Sequence, residues 1–102
     1  MSAIRERTAL RLDLALNHLC VFKTRSQAGK ACESGRVWVN GEPARASRSV
    51  RPGDVIRFRN ALARYEEEIE VLEIPSGPVP KARAREMFKV LSRRRIESPW
   101  SE

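Results

Sequence analysis

Hydrophobic residues in the first half of the chain follow two successive helical patterns. Leu12, Leu16 and Leu19 recur at i, i+4 and i+7, which predicts a first helix from about residue 8 or 11 to residue 18. After a short link comes a second pattern of small apolar residues, Ala28, Ala31 and Cys32. Because small side chains let a helix approach its neighbour closely, we expect the two helices to pack against each other.

Local signals mark the ends of these helices. Thr24 and Gln27 have the spacing of a capping box, in which the Thr side chain accepts from the backbone N–H three residues on. Gly35 stands where a glycine commonly ends a helix. Asp13 falls in the first turn of the first helix, where a carboxylate favours the positive helix end. The second helix is therefore predicted between Thr24 and Gly35.

After Gly35 the pattern changes to the alternation of a β-strand. Val37 and Val39 share one face of that strand. Asn40 and Gly41 predict a two-residue hairpin turn, because a type I′ turn needs positive φ at both central positions. Two further strands are expected, at residues 55–58 and 66–74.

The last third of the chain returns to helical spacing. Its apolar stripe is Ala84, Met87, Phe88 and Leu91. Lysines and arginines surround the stripe, and Pro80 suits the first turn of a helix, so a basic last helix is predicted over residues 80–95. A flexible tail is expected to follow. These elements predict an α+β fold, with a module over residues 8–59 and a C-terminal strand and helix extension over residues 60–102.

Charge narrows the choice of partner. The 102-residue chain has a net charge of +7 and a pI of about 10.4. Residues 1–59 hold 12 Lys/Arg against 5 Asp/Glu, whereas residues 60–102 hold 8 of each. The module therefore carries the whole positive excess, which indicates a polyanionic partner. A chain this short leaves little room for a catalytic pocket and its supporting shell.

Chemistry-bearing residues are few. Cys20, Cys32 and His18 are the only thiols and imidazole, and their spacing does not match a metal site, so we predict no metal and no cofactor. Cys32 is interpreted as a small core residue. No apolar run approaches the ~20 residues of a membrane span, and no signal peptide is recognisable. We expect a cytoplasmic protein with neither a membrane nor a small-molecule substrate as partner.

Residues 11 to about 58 resemble the S-four-type RNA-binding domain, also called the alpha-L motif. The matching positions, in order, are Arg11-Leu12-Asp13, Leu16, Thr24-Arg25, Ala28, Gly35, Val37, Val39-Asn40-Gly41, Val50, Gly53-Asp54 and Ile56. Ala31 and Cys32 stand where the family often has bulkier aliphatic residues. The resemblance implies the alpha-L fold, two packed helices and a small, mainly antiparallel sheet, and binding of structured RNA.

Free-standing members of about this length form a ribosome-associated heat-shock branch of that family. The similarity implies binding to rRNA of the large ribosomal subunit, and we expect a non-catalytic protein that is monomeric. It also implies contact with tRNA that still carries a peptide, in ribosome rescue or recycling under stress. The alternative role within the family is ribosome quality control.

Candidate RNA-binding residues follow from both the residues and the resemblance. Arg25 stands beside Thr24 at a helix start, where free N–H groups favour a phosphate. Arg11 opens the other helix, so both starts can frame one backbone site. The full set is Arg11, Lys23, Thr24, Arg25, Gln27, Arg36, Asn40, Gly41, Arg45 and Arg48. A second RNA contact is expected at Arg93, Arg94 and Arg95.

Some polar and aromatic residues also have structural interpretations. Asn40 and Gly41 are turn residues first, and Asp13 is expected to fix helix geometry. Lys30 falls on a different stripe of its helix from Arg25. Trp38 either stacks on a base, as aromatics do with unstacked RNA, or packs under the last helix, and we favour packing.

Two other classes fit the charge. A nonspecific DNA-binding protein would be distinguished by competition between structured RNA and duplex DNA. An adaptor whose last helix binds a protein would be distinguished by its exposed apolar area. An RNA-modifying enzyme is disfavoured, because the sequence offers no recognisable nucleophile or acid–base pair.

Overall fold

The computed structural model describes residues 9–60 and 64–95. In chain order its elements are β1 (Leu10–Arg11), α1 (Leu12–His18), α2 (Arg25–Glu33), β2 (Val37–Val39), β3 (Glu42–Pro43), β4 (Ser49–Val50), β5 (Val55–Asn60), β6 (Tyr65–Val71), α3 (Lys81–Ala84) and β7 (Phe88–Arg95). Strands β1 and β4 form a short antiparallel ladder, and the others form one antiparallel sheet in the order β3-β2-β5-β6-β7. The predicted α+β class is confirmed.

Helix α2 has the ends that its sequence predicts. The Thr24 Oγ1 accepts a hydrogen bond from the Gln27 backbone N–H at 3.0 Å, which satisfies one of the free donors of the first turn. After the helix, Gly35 has a φ of 77°, a left-handed conformation that reverses the chain into β2. The buried Ala28 and Ala31 face the core and α1, as the pattern of small residues indicates.

The Asn40–Gly41 turn joins β2 to β3 and also fixes β5. Asn40 and Gly41 have φ values of 52° and 85°, the two positive angles of the predicted type I′ turn. The Asn40 side chain accepts from the Val55 backbone N–H at 2.9 Å and donates to the Asp54 carboxylate at 3.1 Å. This turn therefore has the structural role that its sequence indicates.

The core lies between the two helices and one face of the sheet. Leu12 and Leu16 of α1 belong to the same buried cluster as Ile56 of β5 and Ile69 of β6. The link between the helices adds an aromatic contact, with the rings of Phe22 and Phe58 5.7 Å apart. Cys32 is part of this cluster, as predicted.

The prediction of a basic helix over residues 80–95 is wrong. Helix α3 has a single turn, Lys81–Ala84, and the chain then forms the eight-residue strand β7. The predicted strand 66–74 also ends early, at Val71, because the backbone N–H groups of Leu72 and Glu73 both donate to the Met87 carbonyl. These bonds bring the chain back alongside β6.

Strand β6 explains why β7 is a strand. It has four glutamates in seven residues, and the register places Glu66, Glu67 and Glu70 opposite Arg94, Arg93 and Lys89. Opposite charges across a ladder stabilise a strand pair. On the other positions, Val90 and Phe88 lie opposite the buried Ile69 and Val71. Leu91 lies at the register shift in β7, between the residues that pair with Glu68 and Ile69 of β6. Its spacing from Phe88 therefore matched a helix although both residues belong to a strand.

The sheet face opposite the core carries a stacked cluster of charges. Glu66 lies on this face and is buried, because Arg59, Arg57 and Arg94 lie within 2.9 Å, 3.6 Å and 3.3 Å of its carboxylate. Burial alone would raise the pKa of the Glu66 carboxyl. The hydrogen bond from Arg59 and the positive charges of the three arginines outweigh the effect of burial, so the pKa lies below its ordinary value.

Trp38 belongs to this face too, and its predicted packing under a last helix is wrong. The Arg57 guanidinium carbon lies 4.2 Å from the centre of the indole ring, and that of Arg59 lies 5.8 Å away. Both are cation–π distances. Trp38 therefore packs against arginines of the neighbouring strand.

No helix within residues 9–60 and 64–95 is long and apolar enough to cross a membrane. The flexible tail predicted after residue 96 lies outside the described residues. The boundary predicted at residues 59 and 60 falls within a continuous sheet, because β6 pairs with β5 along its length.

Candidate RNA-binding site

A buried carboxylate joins the starts of the two helices. Asp13 is 5% exposed, and its two oxygens accept from the Nε atoms of Arg11 at 2.7 Å and Arg25 at 3.2 Å. One oxygen also accepts from the Leu14 backbone N–H at 2.8 Å. The two arginine side chains remain 43% and 51% exposed. This Asp13 cluster, comprising Asp13, Arg11 and Arg25, thus holds two cations side by side at the surface.

The charge of Asp13 is stable in this setting. Burial by itself raises the pKa of the carboxyl, but the hydrogen bonds and positive charges of Arg11 and Arg25 outweigh it, so that the pKa lies below its ordinary value of 3.8. Asp13 therefore remains an anion near neutral pH. Its side chain positions the arginines, as the sequence indicates, and its burial leaves it little surface for RNA.

The loop that precedes β4 adds further cations beside the start of α1. The backbone N–H groups of Leu12 and Asp13 donate to the carbonyls of Arg48 at 2.8 Å and Ala46 at 3.1 Å, so this loop caps the helix. The β1–β4 ladder extends the contact. Arg45 is exposed and Arg48 partly exposed. The structure therefore brings the backbone positions of Arg45 and Arg48 next to the Asp13 cluster.

The start of α2 completes this face. Lys23, Thr24, Arg25 and Gln27 are all exposed. A nine-residue helix has backbone N–H groups and a positive dipole end at its start, both of which favour a phosphate. The Asp13 cluster places Arg11 against this end, as expected from the close packing of the helices.

Other predicted site residues lie elsewhere or have partners. Asn40 uses its side chain within the fold, so its part in RNA binding stays a prediction, as does that of Gly41. Arg93 and Arg94 form ion pairs with Glu67 and Glu66 on β6, at 3.2 Å and 3.3 Å. Arg95 is exposed at the end of β7. This second cluster is therefore part of a sheet edge, where a helix end was expected.

Sequence reasoning missed a groove beside α2. Arg36 lies there with Lys23 and Gln27, and so does Lys30, which was placed apart from the candidate set. Arg59 of β5 lines the same groove. The spacing of Gln27 and Lys30, at i and i+3, was the available signal, since residues so spaced share a face of a helix.

The two thiols differ in their exposure. Burial raises the pKa of the Cys32 thiol to about 11, so it stays protonated in the core. Cys20 is exposed at a position with φ of 63°. Within residues 9–60 and 64–95, no group of three or more His, Cys, Asp or Glu side chains could hold a metal ion.

Two helices whose starts hold paired arginines, on a small antiparallel sheet with a large positive excess, define a small RNA-binding module. The S4 domain family model matches residues 10–56. The RQC P-site tRNA stabilizing factor of Helicobacter pylori is 36% identical over 67 residues, which make up 66% of this chain and 77% of that protein. The protein of the same name from Bacillus subtilis is 30% identical over 89 residues, 85% of this chain and 98% of that protein.

A solved structure agrees with these relatives. Heat Shock Protein 15 from Vibrio cholerae, described as trimeric, superposes with a TM-score of 0.74 at 30% identity, over 82% of this chain and 83% of that chain. The chain belongs to the S4-domain family of RNA-binding proteins. The predicted α+β class, the resemblance to the S-four-type domain and the RNA-binding function are confirmed, whereas strand β7 stands where the fold prediction had a C-terminal helix.

Proposed function

We propose that this protein binds the large ribosomal subunit and stabilises a tRNA that carries a peptide there, without catalysing a reaction. The observation that carries the proposal is the Asp13 cluster, since it presents Arg11 and Arg25 together at the start of α2, where a phosphate is favoured. Two relatives, matched over 77% and 98% of their own length, are named as factors that stabilise P-site tRNA. We place the protein in the cytoplasm as a monomer.

The positive excess explains how such a module finds a ribosome. Phosphate contacts supply affinity through counterion release and speed association, but they carry little sequence information. Target choice then depends on the shape of the RNA, to which a fixed pair of arginines is suited because guanidinium groups bind phosphate in a defined orientation.

Sedimentation with purified ribosomal subunits tests the proposal. The protein is mixed with small subunits, with large subunits, and with large subunits that carry peptidyl-tRNA, and the bound fraction is measured after centrifugation. We expect binding to large subunits, tightest when peptidyl-tRNA is present. Binding to small subunits alone, or to neither subunit, would contradict the ribosomal target.

A matched pair of variants separates the site from general charge. Arg11→Ala/Arg25→Ala removes the two cations of the Asp13 cluster. Arg51→Ala/Lys89→Ala removes two exposed cations outside it and is called the control variant from here on. We expect the first to lose subunit binding and the control variant to retain it. Equal losses, or equal competition by duplex DNA and structured RNA, would favour binding through charge alone.

A further inference from the structure

The groove beside α2 has an apolar floor and a basic rim. Its volume is about 690 Å³, and it opens between α2 and the ends of strands β2 and β5. The floor is formed by Val21, Phe22 and Ala31. The rim carries four cations, Lys23, Lys30, Arg36 and Arg59. No aspartate or glutamate is found among the described residues that line it. We call this the α2 groove.

This combination favours an unpaired nucleic-acid strand over other occupants. Four cations without a lining acid are complementary to a phosphate backbone. Arg59 is also bound to Glu66 at 2.9 Å, so Lys23, Lys30 and Arg36 supply most of the positive charge. A duplex hides its bases and would leave the apolar floor unused, whereas an unstacked base can cover it. The volume falls in the range of sites that enclose one small ligand group.

A second groove continues the first. It has a volume of about 630 Å³ and shares Val21 and Asn60 with the α2 groove. Its basic residues are Lys81, Arg85 and Arg93. The lining acid Glu67 is bound to Arg93 at 3.2 Å, which neutralises much of its repulsion toward an anion. We call this the β7 groove.

The two grooves connect regions that the sequence keeps far apart. At one end Lys23 and Gln27 line the α2 groove and flank Thr24 and Arg25 of the main site. At the other end Arg93 belongs to the edge strand β7. We propose that the α2 and β7 grooves form one track that binds an unpaired RNA strand adjoining the structured RNA held at the Asp13 cluster. The proposal rests on RNA binding at that cluster and is independent of the ribosomal target.

Two RNA probes test the track on the full chain. One is a labelled hairpin, and the other is the same hairpin with a single-stranded oligouridine extension. We expect the extension to tighten binding to the unaltered protein by about tenfold, the gain that one or two bases packed on protein side chains provide. If the extension gives no gain while the hairpin binds, the track is refuted and the main site stands.

Variants then locate the gain. Lys30→Ala/Arg85→Ala removes one cation from the α2 groove and one from the β7 groove, and we expect it to abolish the gain while binding the bare hairpin nearly as well as the unaltered protein. The control variant removes one lysine and one arginine elsewhere and should keep the gain. Circular dichroism checks that each variant is folded. If the double variant unfolds, the same measurement is made with the single variant Lys30→Ala, which changes an exposed helix position. Equal loss in the control variant would overturn the placement.

Crosslinking gives a measurement that does not depend on affinity. A photoreactive thiouridine in the extension should crosslink to peptides that contain Val21–Lys30 and, further along, to peptides around Arg93. Crosslinks confined to β2 and β3 would overturn the track.

A competition experiment tests for a different occupant. If an oligoglutamate peptide displaces the extension as effectively as oligouridine does, the grooves bind an acidic protein segment and the track is overturned. If the hairpin itself does not bind, the proposed main site fails, and the extension alone still tests the track.

Discussion

Replacing Asp13 by alanine should separate stability from RNA affinity. The substitution removes a buried acceptor of three hydrogen bonds, two of them from arginines and one from the Leu14 backbone N–H. The arginine heads are 43% and 51% exposed, so water can replace the lost partner on that side. The cost should therefore be close to that of one buried charged hydrogen bond, about 2 kcal/mol.

That cost corresponds to a fall in Tm of about 10 °C for a domain of this size. Affinity per folded molecule should change much less, since two opposing effects follow. The arginines lose their fixed orientation, but the surface gains one unit of positive charge, which favours phosphate. Urea or thermal unfolding measures the first quantity. A titration with hairpin RNA, corrected for the folded fraction, measures the second.

Two further variants make the reasoning refutable. Asp13→Asn keeps an oxygen for the Leu14 N–H but loses the charge, and it should be less destabilised than Asp13→Ala. Arg25→Ala should do the reverse of Asp13→Ala and weaken RNA binding more than it lowers Tm. The free energy of unfolding of Asp13→Ala could instead lie within about 0.5 kcal/mol of that of the unaltered protein, which is the range of ordinary surface substitutions. In that case the Asp13 cluster does not stabilise the helix pair. If it weakens RNA binding as much as Arg25→Ala, its main role is in recognition.

Three other outcomes are expected. RNA affinity should fall with a log–log slope of about −3.5 to −4.5 against salt, for about five neutralised phosphates, and a slope near zero would contradict an electrostatic site. The free energy of unfolding should fall as the pH drops below 4.5, because the folded pKa values of Asp13 and Glu66 lie below their ordinary 3.8 and 4.5 and the unfolded chain takes up protons first. In acid titrations followed by circular dichroism, Asp13→Asn should flatten part of that loss, and an unchanged profile would contradict the role of Asp13. Iodoacetamide should modify exposed Cys20 in the folded protein and spare Cys32, whose thiol is buried with a pKa of about 11, and mass spectrometry would show equal modification if this is wrong.

Elements fixed by neighbours in the chain were predictable from sequence. The cap at Thr24 and Gln27, the glycine after α2 and the Asn40–Gly41 turn each involve residues a few positions apart. Their geometry depends on local hydrogen bonds and φ angles, which a residue pattern reports directly. The expectation that Asp13 fixes helix geometry was also sound, although its bond to Arg25 spans 12 positions.

Strand β7 shows where local reasoning stops. Its apolar residues match a helical stripe, but their conformation depends on β6, whose glutamates and inward-facing Ile69 need a partner strand. Local preference is readily overridden by such tertiary pairing. The prediction for Trp38 failed with it, since the helix expected above the ring does not exist and Arg57 takes that position.

The grooves were beyond sequence reasoning for a different reason. Lys30 lies on α2, Arg36 in the link before β2 and Arg59 on β5, so only the packed fold brings them together. A stripe on one helix gives the direction of a side chain but not what lies across from it. Stripe patterns therefore identified candidate residues on single elements. They could not show the grooves, which are lined by residues of several elements.

Strand β7 has a consequence for how copies of this protein behave when crowded together. Among the described strands it lies at an outer edge of the sheet, and its residues from Lys89 to Arg95 are exposed. An open edge can template sheet growth from one molecule to the next. Every charged residue in β7 is positive, so two such edges meeting in either direction would set like charges opposite each other. The basic residues that hold β7 to β6 thereby also protect the protein against aggregation through that edge.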